Sequence, residues 1–276
     1  MKRDISGVIL CGGRSSRMGR PKALLPWHGM HLITHMVNQM RRVFDDIVVV
    51  SNDGLELPEL QARVVVDRTA NLGPLGGIRE ALHAIHCSVA LITSTDAPYF
   101  DAALVDSLTA AGRTAAFEVD GWIEPFPALY ARELCTTADT LLDQGRRRPL
   151  HLLQKSGFER LDGSEWSARG AFKNFNTPEE YLHAVTAVDS TATVTVTFSG
   201  TKDGAVGEQP IDCAIGTLRD VLQTLAVRVP LLAEDRIAPG VQIFLEETQP
   251  LDDLNMPLGP GESLRVVMPS AKGTQP

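Results

Sequence analysis

Between Gly7 and Lys22 the chain reads GVILCGGRSSRMGRPK, an apolar run that breaks into paired glycines, serines, arginines and a lysine. Glycines at 12 and 13 let a backbone approach a ligand closely, and successive loop N–H groups can converge on an anion. Arg14, Arg17, Arg20 and Lys22 add positive charge where a triphosphate would lie. The stretch is neither the GxxxxGK[ST] of a P-loop nor a GxGxxG turn. Asp67 ends the run Val64-Val65-Val66, and Asp96 follows Leu91-Ile92-Thr93, so both carboxylates are expected at the sheet edge that carries the glycine loop. A carboxylate there can hold Mg2+, a hard cation that shares its shell with phosphate oxygens. The metal would neutralise phosphate charge and orient an in-line displacement. Lys22 would stabilise charge growing on the bridging oxygens, and Arg17 would hold the β- and γ-phosphates that leave as pyrophosphate. Taken singly, Asp96 could as well cap a turn before Pro98, and Lys22 could be an ordinary surface lysine.

These groups need a scaffold that delivers them to one edge. Ile5–Leu10, Asp46–Ser51, Arg63–Asp67 and Val89–Thr93 read as strands. Leu32–Val43, Gly77–Ile85 and Ala102–Ala111 read as helices. The alternation implies an α/β fold with a mostly parallel, Rossmann-like sheet, in which ligands sit beyond the carboxyl ends of the strands. The loops Cys11–Lys22, Ser51–Gly54, Asp67–Gly77 and Ser94–Pro98 all follow strands. Asn71–Gly77 leads into a helix whose N-terminus could face an anion or simply turn the chain.

A boundary is expected near residues 189–192, giving a larger α/β domain over 1–188 and a smaller one over 192–272. Tyr181–Ala187 reads as a closing helix. Thr193–Phe198 alternates strictly, the period of a half-buried strand. Gln209–Cys213, Gln242–Leu245 and Ser263–Met268 supply further strands, and Thr217 N-caps a helix over Leu218–Val227. This β-β-α-β-β order predicts a β-grasp fold.

Bulk properties narrow the function. The net charge is −8, which argues against a general nucleic-acid binder. Residues 1–188 hold 20 Lys+Arg against 22 Asp+Glu, and the remainder 6 against 12; the arginines concentrate in the first part, near Arg14–Arg20 and Arg146–Arg148, so basic pockets coexist with a mildly acidic whole. Apolar runs are strand-sized and no signal-type segment opens the chain, which implies no membrane span and a cytoplasmic protein. The four cysteines are scattered, without disulfide or zinc spacing.

Four stretches occur in an order that resembles molybdenum cofactor guanylyltransferases: LCGGRSSRMGRPKALLPWHG, NLGPLGGIREAL, TDAPYF and NFNTPEEY. The resemblance spans residues 4 to about 186. It implies Mg2+-dependent transfer of GMP from GTP to the phosphate of molybdopterin, with pyrophosphate released. It points to Leu10, Cys11, Gly12 and Gly13 around the base and phosphates, and to Lys22 on the phosphates. It also points to Asp67 in the nucleotide site and Asp96 on the metal. Ser51 stands where the family often has a polar nucleotide contact, with Asn52 beside it. Asp120-Gly121, Arg146–Arg148, Asn174, Asn176 and Thr177 are candidates for holding the pterin, although Asn-Thr-Pro-Glu-Glu is also a helix start. Gly12 matches the GTP-using branch, since related cytidylyltransferases carry alanine there, whereas Pro21-Lys22 is common among CTP users.

Residues 192–272 resemble the ubiquitin-like sulfur-carrier subunit of molybdopterin synthase, through Thr193–Ser199, Gly216–Val221 and the Pro257–Leu264 turn. That family works through a terminal Gly-Gly. Here Gly273 is followed by Thr274-Gln275-Pro276. The domain is therefore expected to dock other cofactor-assembly proteins, unless a protease trims the chain after Gly273. The alternatives to the main reading are a CTP-dependent cytidylyltransferase, another NTP transferase, or a non-catalytic nucleotide-binding adaptor.

Overall fold

The computed structural model describes residues 4–12, 17–67, 69, 72–200, 209–226 and 229–269. The chain forms two compact units. One contains residues 1–14, 22–24 and 32–174, and the other residues 15–21, 25–31 and 175–276.

The first unit is built on a seven-stranded sheet. Its strands are β1 (Ser6–Cys11), β2 (Ile47–Asn52), β3 (Arg63–Asp67), β4 (Val89–Ser94), β5 (Ala115–Val119), β6 (Trp122–Ala131) and β7 (Glu159–Asp162). They lie in the order β3-β2-β1-β4-β6-β5-β7. The first four are mutually parallel, while β6 runs antiparallel to both β4 and β5. β1 is buried along its whole length, as its near-continuous apolar run requires of a central parallel strand. β3 lies at the edge and leaves Val64 and Val66 exposed on alternate residues.

Helices α1 (Leu32–Met40), α2 (Gly73–Ala84), α3 (Ala102–Ala111), α4 (Cys135–Asp143), α5 (Pro149–Ser156) and α6 (Ser164–Ala168) complete this unit. Leu75, Ile78 and Leu82 of α2 share one core with Val8, Leu10, Val48 and Val50 of the sheet and with Leu152 and Leu153 of α5. α2 begins four residues earlier than expected, because Pro74 occupies a first-turn position where its fixed φ and missing N–H suit a helix start. α3 is N-capped by Asp101, whose carboxylate accepts from the Ala103 N–H at 2.8 Å.

The amino ends of the strands are fastened around Asp46. Its carboxylate accepts from the Ser6 hydroxyl at 2.5 Å, the Arg63 guanidinium at 2.6 Å and the His86 N–H at 2.9 Å. The Gly7 N–H donates to the Asp46 carbonyl, and Arg63 also reaches the Ala84 carbonyl. Burial alone would raise the Asp46 pKa, but these donors and the Arg63 charge outweigh it and hold the carboxyl below its ordinary value.

The second unit contains α7 (Pro178–Val188), then β8 (Thr193–Ser199), β9 (Ile211–Ala214), α8 (Leu218–Leu225), β10 (Gln242–Leu245), β11 (Gln249–Leu251) and β12 (Ser263–Val267). The sheet order is β9-β8-β12-β10-β11, with β8 and β12 central and parallel. Both helices start with capping boxes, Thr177 with Glu180 and Thr217 with Asp220. Leu218, Val221, Leu222 and Leu225 bury the apolar stripe of α8 against Val194, Val196, Ile243 and Val266. The tail carrying Gly273 lies outside the described residues.

Candidate active site

Register within the first sheet brings the polar strand ends together. Cys11 pairs with Ser51, Asn52 with Asp67, and Leu10 with Ser94. The loops that leave these positions start from a common edge, where the parallel strands present their carboxyl ends. Leu10, Cys11, Gly12, Lys22, Ser51, Asn52, Asp67 and Asp96 all belong to this unit. Arg17 is exposed and belongs to the segment grouped with the second unit, and Gly13 lies outside the described residues.

Asp96 sits just past β4. The Ser94 hydroxyl donates to its Oδ1 at 2.5 Å, while Oδ2 lies 3.9 Å from Lys22 Nζ. The two side chains are 14% (Lys22) and 30% (Asp96) exposed, so the pair is reachable from solvent yet partly screened from it. The Thr95 N–H donates to the Leu10 carbonyl, tying the start of the Asp96 turn to β1. Asp67 accepts from the Thr69 N–H at 3.0 Å, a local turn that orients one carboxylate oxygen. A Cβ on Gly76 would come 3.3 Å from the other oxygen, and one on Gly77 would come 3.3 Å from Leu10 Cδ2. The first turns of α2 thus approach β1 and Asp67 closely because these positions carry no side chain.

Leu10, Cys11 and Ser51 are buried, and each contributes differently from Asn52. Leu10 packs in the core, and burial pushes the Cys11 thiol up to about 12, so it stays protonated and unreactive. The Ser51 hydroxyl donates to the Asn52 carbonyl at 3.2 Å. Asn52 is exposed, and its Oδ1 would stand 2.9 Å from a Cβ on Gly12. Of the two adjacent polar residues, Asn52 therefore presents its side chain outward beside the glycine loop.

The candidate acceptor residues divide. Arg146–Arg148 are exposed, and the Arg147 carbonyl accepts from the Leu75 N–H at 3.3 Å, which sets this cluster beside the start of α2. Asp120-Gly121 makes the tight turn between β5 and β6, with both residues at positive φ. Thr177 caps α7 and the Asn176 N–H donates to Glu180, so the helix-start role is the one built. Asn174 is exposed at the end of the first unit. Sequence reasoning passed over Ser94, although its Ser-x-Asp spacing to Asp96 is a recognisable turn signal.

A largely parallel sheet with its polar side chains gathered beyond the carboxyl edge is the class of α/β domain that takes nucleotides there. The chain belongs to the MobA-like NTP transferase family, whose domain matches residues 7–158, and is a nucleotidyltransferase. It is 37% identical over 180 residues to a molybdenum cofactor guanylyltransferase of Pseudomonas aeruginosa, covering 62% of this chain and 90% of that protein. A molybdenum cofactor guanylyltransferase of Xanthomonas euvesicatoria is 36% identical over 190 residues, covering 67% and 96%. The fold is similar to the crystal structure of molybdopterin-guanine dinucleotide biosynthesis protein A from Archaeoglobus fulgidus, with a TM-score of 0.55 at 20% identity, covering 68% of this chain and 100% of that one. Among the described residues, no helix is long and apolar enough to cross a membrane.

Proposed function

We propose that this chain transfers GMP from GTP to the phosphate of molybdopterin, releasing pyrophosphate. The observation that carries the reading is the pairing of Lys22 with Asp96 at 3.9 Å, at the same sheet edge as Asn52 and Asp67. Identity of 36–37% to named guanylyltransferases supports the choice of substrates.

Mg2+ suits the donor set at Asp96. Among the described residues no group of three or more His, Cys, Asp or Glu could cage a metal. A single carboxylate matches a cation that retains waters and takes its remaining ligands from substrate phosphates. Bound there, the ion would neutralise phosphate charge as the nucleotide reacts. Ser94 fixes the Asp96 carboxylate through Oδ1 and leaves Oδ2 directed toward Lys22. The Lys22 ammonium is placed to favour negative charge accumulating on the phosphates in the transition state. Gly12 leaves room for Asn52 to meet the nucleotide, and the exposed Arg146–Arg148 cluster supplies charge for the acceptor phosphate.

For the C-terminal domain we propose a β-grasp module that docks cofactor-assembly proteins. Support comes from its central parallel β8–β12 pair and from the helix that follows the second strand. Pyrophosphate release with molybdopterin, Mg2+ and each NTP in turn tests the main reading. GTP-dependent turnover lost in Asp96→Ala is expected. Turnover with CTP alone would move the protein to the cytidylyltransferases, and silence with every nucleotide would leave an adaptor.

A further inference from the structure

β6 borders β4 on the side away from β1, β2 and β3. Ile92 pairs with Ala128 across the antiparallel β4–β6 ladder. Following both chains outward from that pair leads to Asp96 on one and Glu124 on the other, so both carboxylates belong to the carboxyl edge. Against β5 the register slips, because Ala115 pairs with Leu129 but Phe117 pairs with Glu124. The surplus β6 residues bulge between these pairs, and such bulges re-aim side chains beside active sites. The buried Tyr130 hydroxyl donates to the Pro125 carbonyl at 2.9 Å and pins the bulge from the core.

Residues paired across antiparallel strands share a face. Glu124 therefore shares the face of Phe117, whose ring centroid lies 5.6 Å from that of Phe172 and 6.3 Å from that of Trp166. Arg169 lies over the Trp166 ring and reaches Asp101 at 2.9 Å, which joins this aromatic face to the loop after Asp96. Glu124 is partly buried and, among the described residues, has no hydrogen-bond or ion-pair partner. Burial holds its carboxyl above the ordinary carboxylate value, with no donor to offset it. A ligand that supplied donors would recover that cost.

A carboxylate takes two parallel N–H donors from a planar group. The aminopyrimidinone edge shared by pterins and guanine offers such a pair, one on the exocyclic amine and one on the adjacent ring nitrogen. The candidate guanine contacts, Leu10–Gly12, lie on β1 and its loop, and β4 stands between β1 and β6. Position thus favours the pterin. We propose that Glu124 is the specificity-determining residue for the acceptor, accepting both N–H groups from the aminopyrimidinone edge of its heterocycle. The inference rests on the reading above, that the acceptor is molybdopterin.

The test uses full-length protein with GTP and Mg2+. Glu124→Gln is isosteric, keeping one acceptor oxygen and turning the other into a donor. Its melting temperature should not fall, since no partner within the fold is lost. KM for molybdopterin should rise roughly 10- to 150-fold, the range for a hydrogen bond to a charged group, with KM for GTP within about twofold. Pterin and lumazine, which carries an oxygen in place of the exocyclic amine, are then compared as competitive inhibitors. Wild type should favour pterin by at least about tenfold, and Glu124→Gln should bring the two within about threefold. A merely structural residue would not move that ratio. Glu118→Gln removes a charge from the opposite face of the neighbouring strand, where Glu118 meets Arg160, and should change neither KM nor ratio. A ratio unmoved in Glu124→Gln overturns the inference and spares the functional reading. A raised KM for GTP alone also overturns it, by assigning the residue to guanine. An equal loss in Glu118→Gln overturns it by tracing the effect to charge rather than contact. No GTP turnover by the wild type overturns the functional reading and the inference with it.

Discussion

Replacing Gly12 with alanine should separate catalysis from stability. The new Cβ would stand 2.9 Å from Asn52 Oδ1, closer than carbon and oxygen sit at rest, so Asn52 must move by a few tenths of an ångström. Asn52 ends β2 and is exposed, so its amide can rotate into solvent without opening a cavity. The stability cost should stay below about 1 kcal/mol, a melting shift of no more than about 4 °C. If the displaced amide is a nucleotide contact, the complex loses about 0.5–1.5 kcal/mol, or roughly 2- to 13-fold in kcat/KM for GTP. Scanning calorimetry and pyrophosphate release at low GTP measure the two effects side by side. The route through Asn52 is isolated by repeating the substitution in an Asn52→Ala background, where it should cost nothing further. An undiminished penalty in that background would refute the reasoning, because it would mean that the Cβ itself obstructs the ligand.

Asp96→Asn and Lys22→Ala should each lower kcat about 100-fold or more with GTP binding less affected, as single-turnover assays would show. Asp46 has a lowered pKa, so its ionised form stabilises the fold above the ordinary carboxylate range and loses that contribution as pH falls through the depressed value. Asp46→Asn should cost about 2 kcal/mol in urea denaturation at pH 7, with the gap from wild type closing under strong acid. Cys11, its thiol pushed up to about 12 by burial, should react with a thiol reagent at pH 8 at least ~100-fold more slowly than the partly exposed Cys135, as peptide mapping would reveal.

Much of the first unit is legible in the sequence because its information is local. Val48–Val50 and Leu91–Ile92 declare buried strands by composition, and Arg63–Asp67 and Ala102–Ala111 fall at their expected bounds. Once the strands are parallel, an aspartate at the end of each must emerge at one edge, so strand pattern alone is enough to group Asp67 with Asp96. The choice between Ser51 and Asn52 cannot be made that way. It depends on which of two neighbours the pleat buries, and hence on the register with Cys11 and Asp67. The pairing of Arg20 with Glu262 is out of reach for a different reason. No periodicity or spacing links residues 242 positions apart, and Arg20 reads locally as one more phosphate-loop arginine.

The two ends of the first sheet answer to different demands. At the amino ends, Ser6, Asp46, Arg63 and the His86 backbone satisfy one another's donors and acceptors, so a change there removes a partner from a closed network. At the carboxyl ends, Asn52 faces solvent and Asp67 and Asp96 stay partly accessible, each carboxylate held by a neighbour rather than locked into the core. Hydrogen-bonding capacity left open to solvent adds little to folding, but it is what a nucleotide can use. Substitutions around Asp46 should therefore register in denaturation and leave turnover per folded molecule intact, while those around Asp96 should do the reverse. That asymmetry follows from where the hydrogen-bonding capacity is already spent.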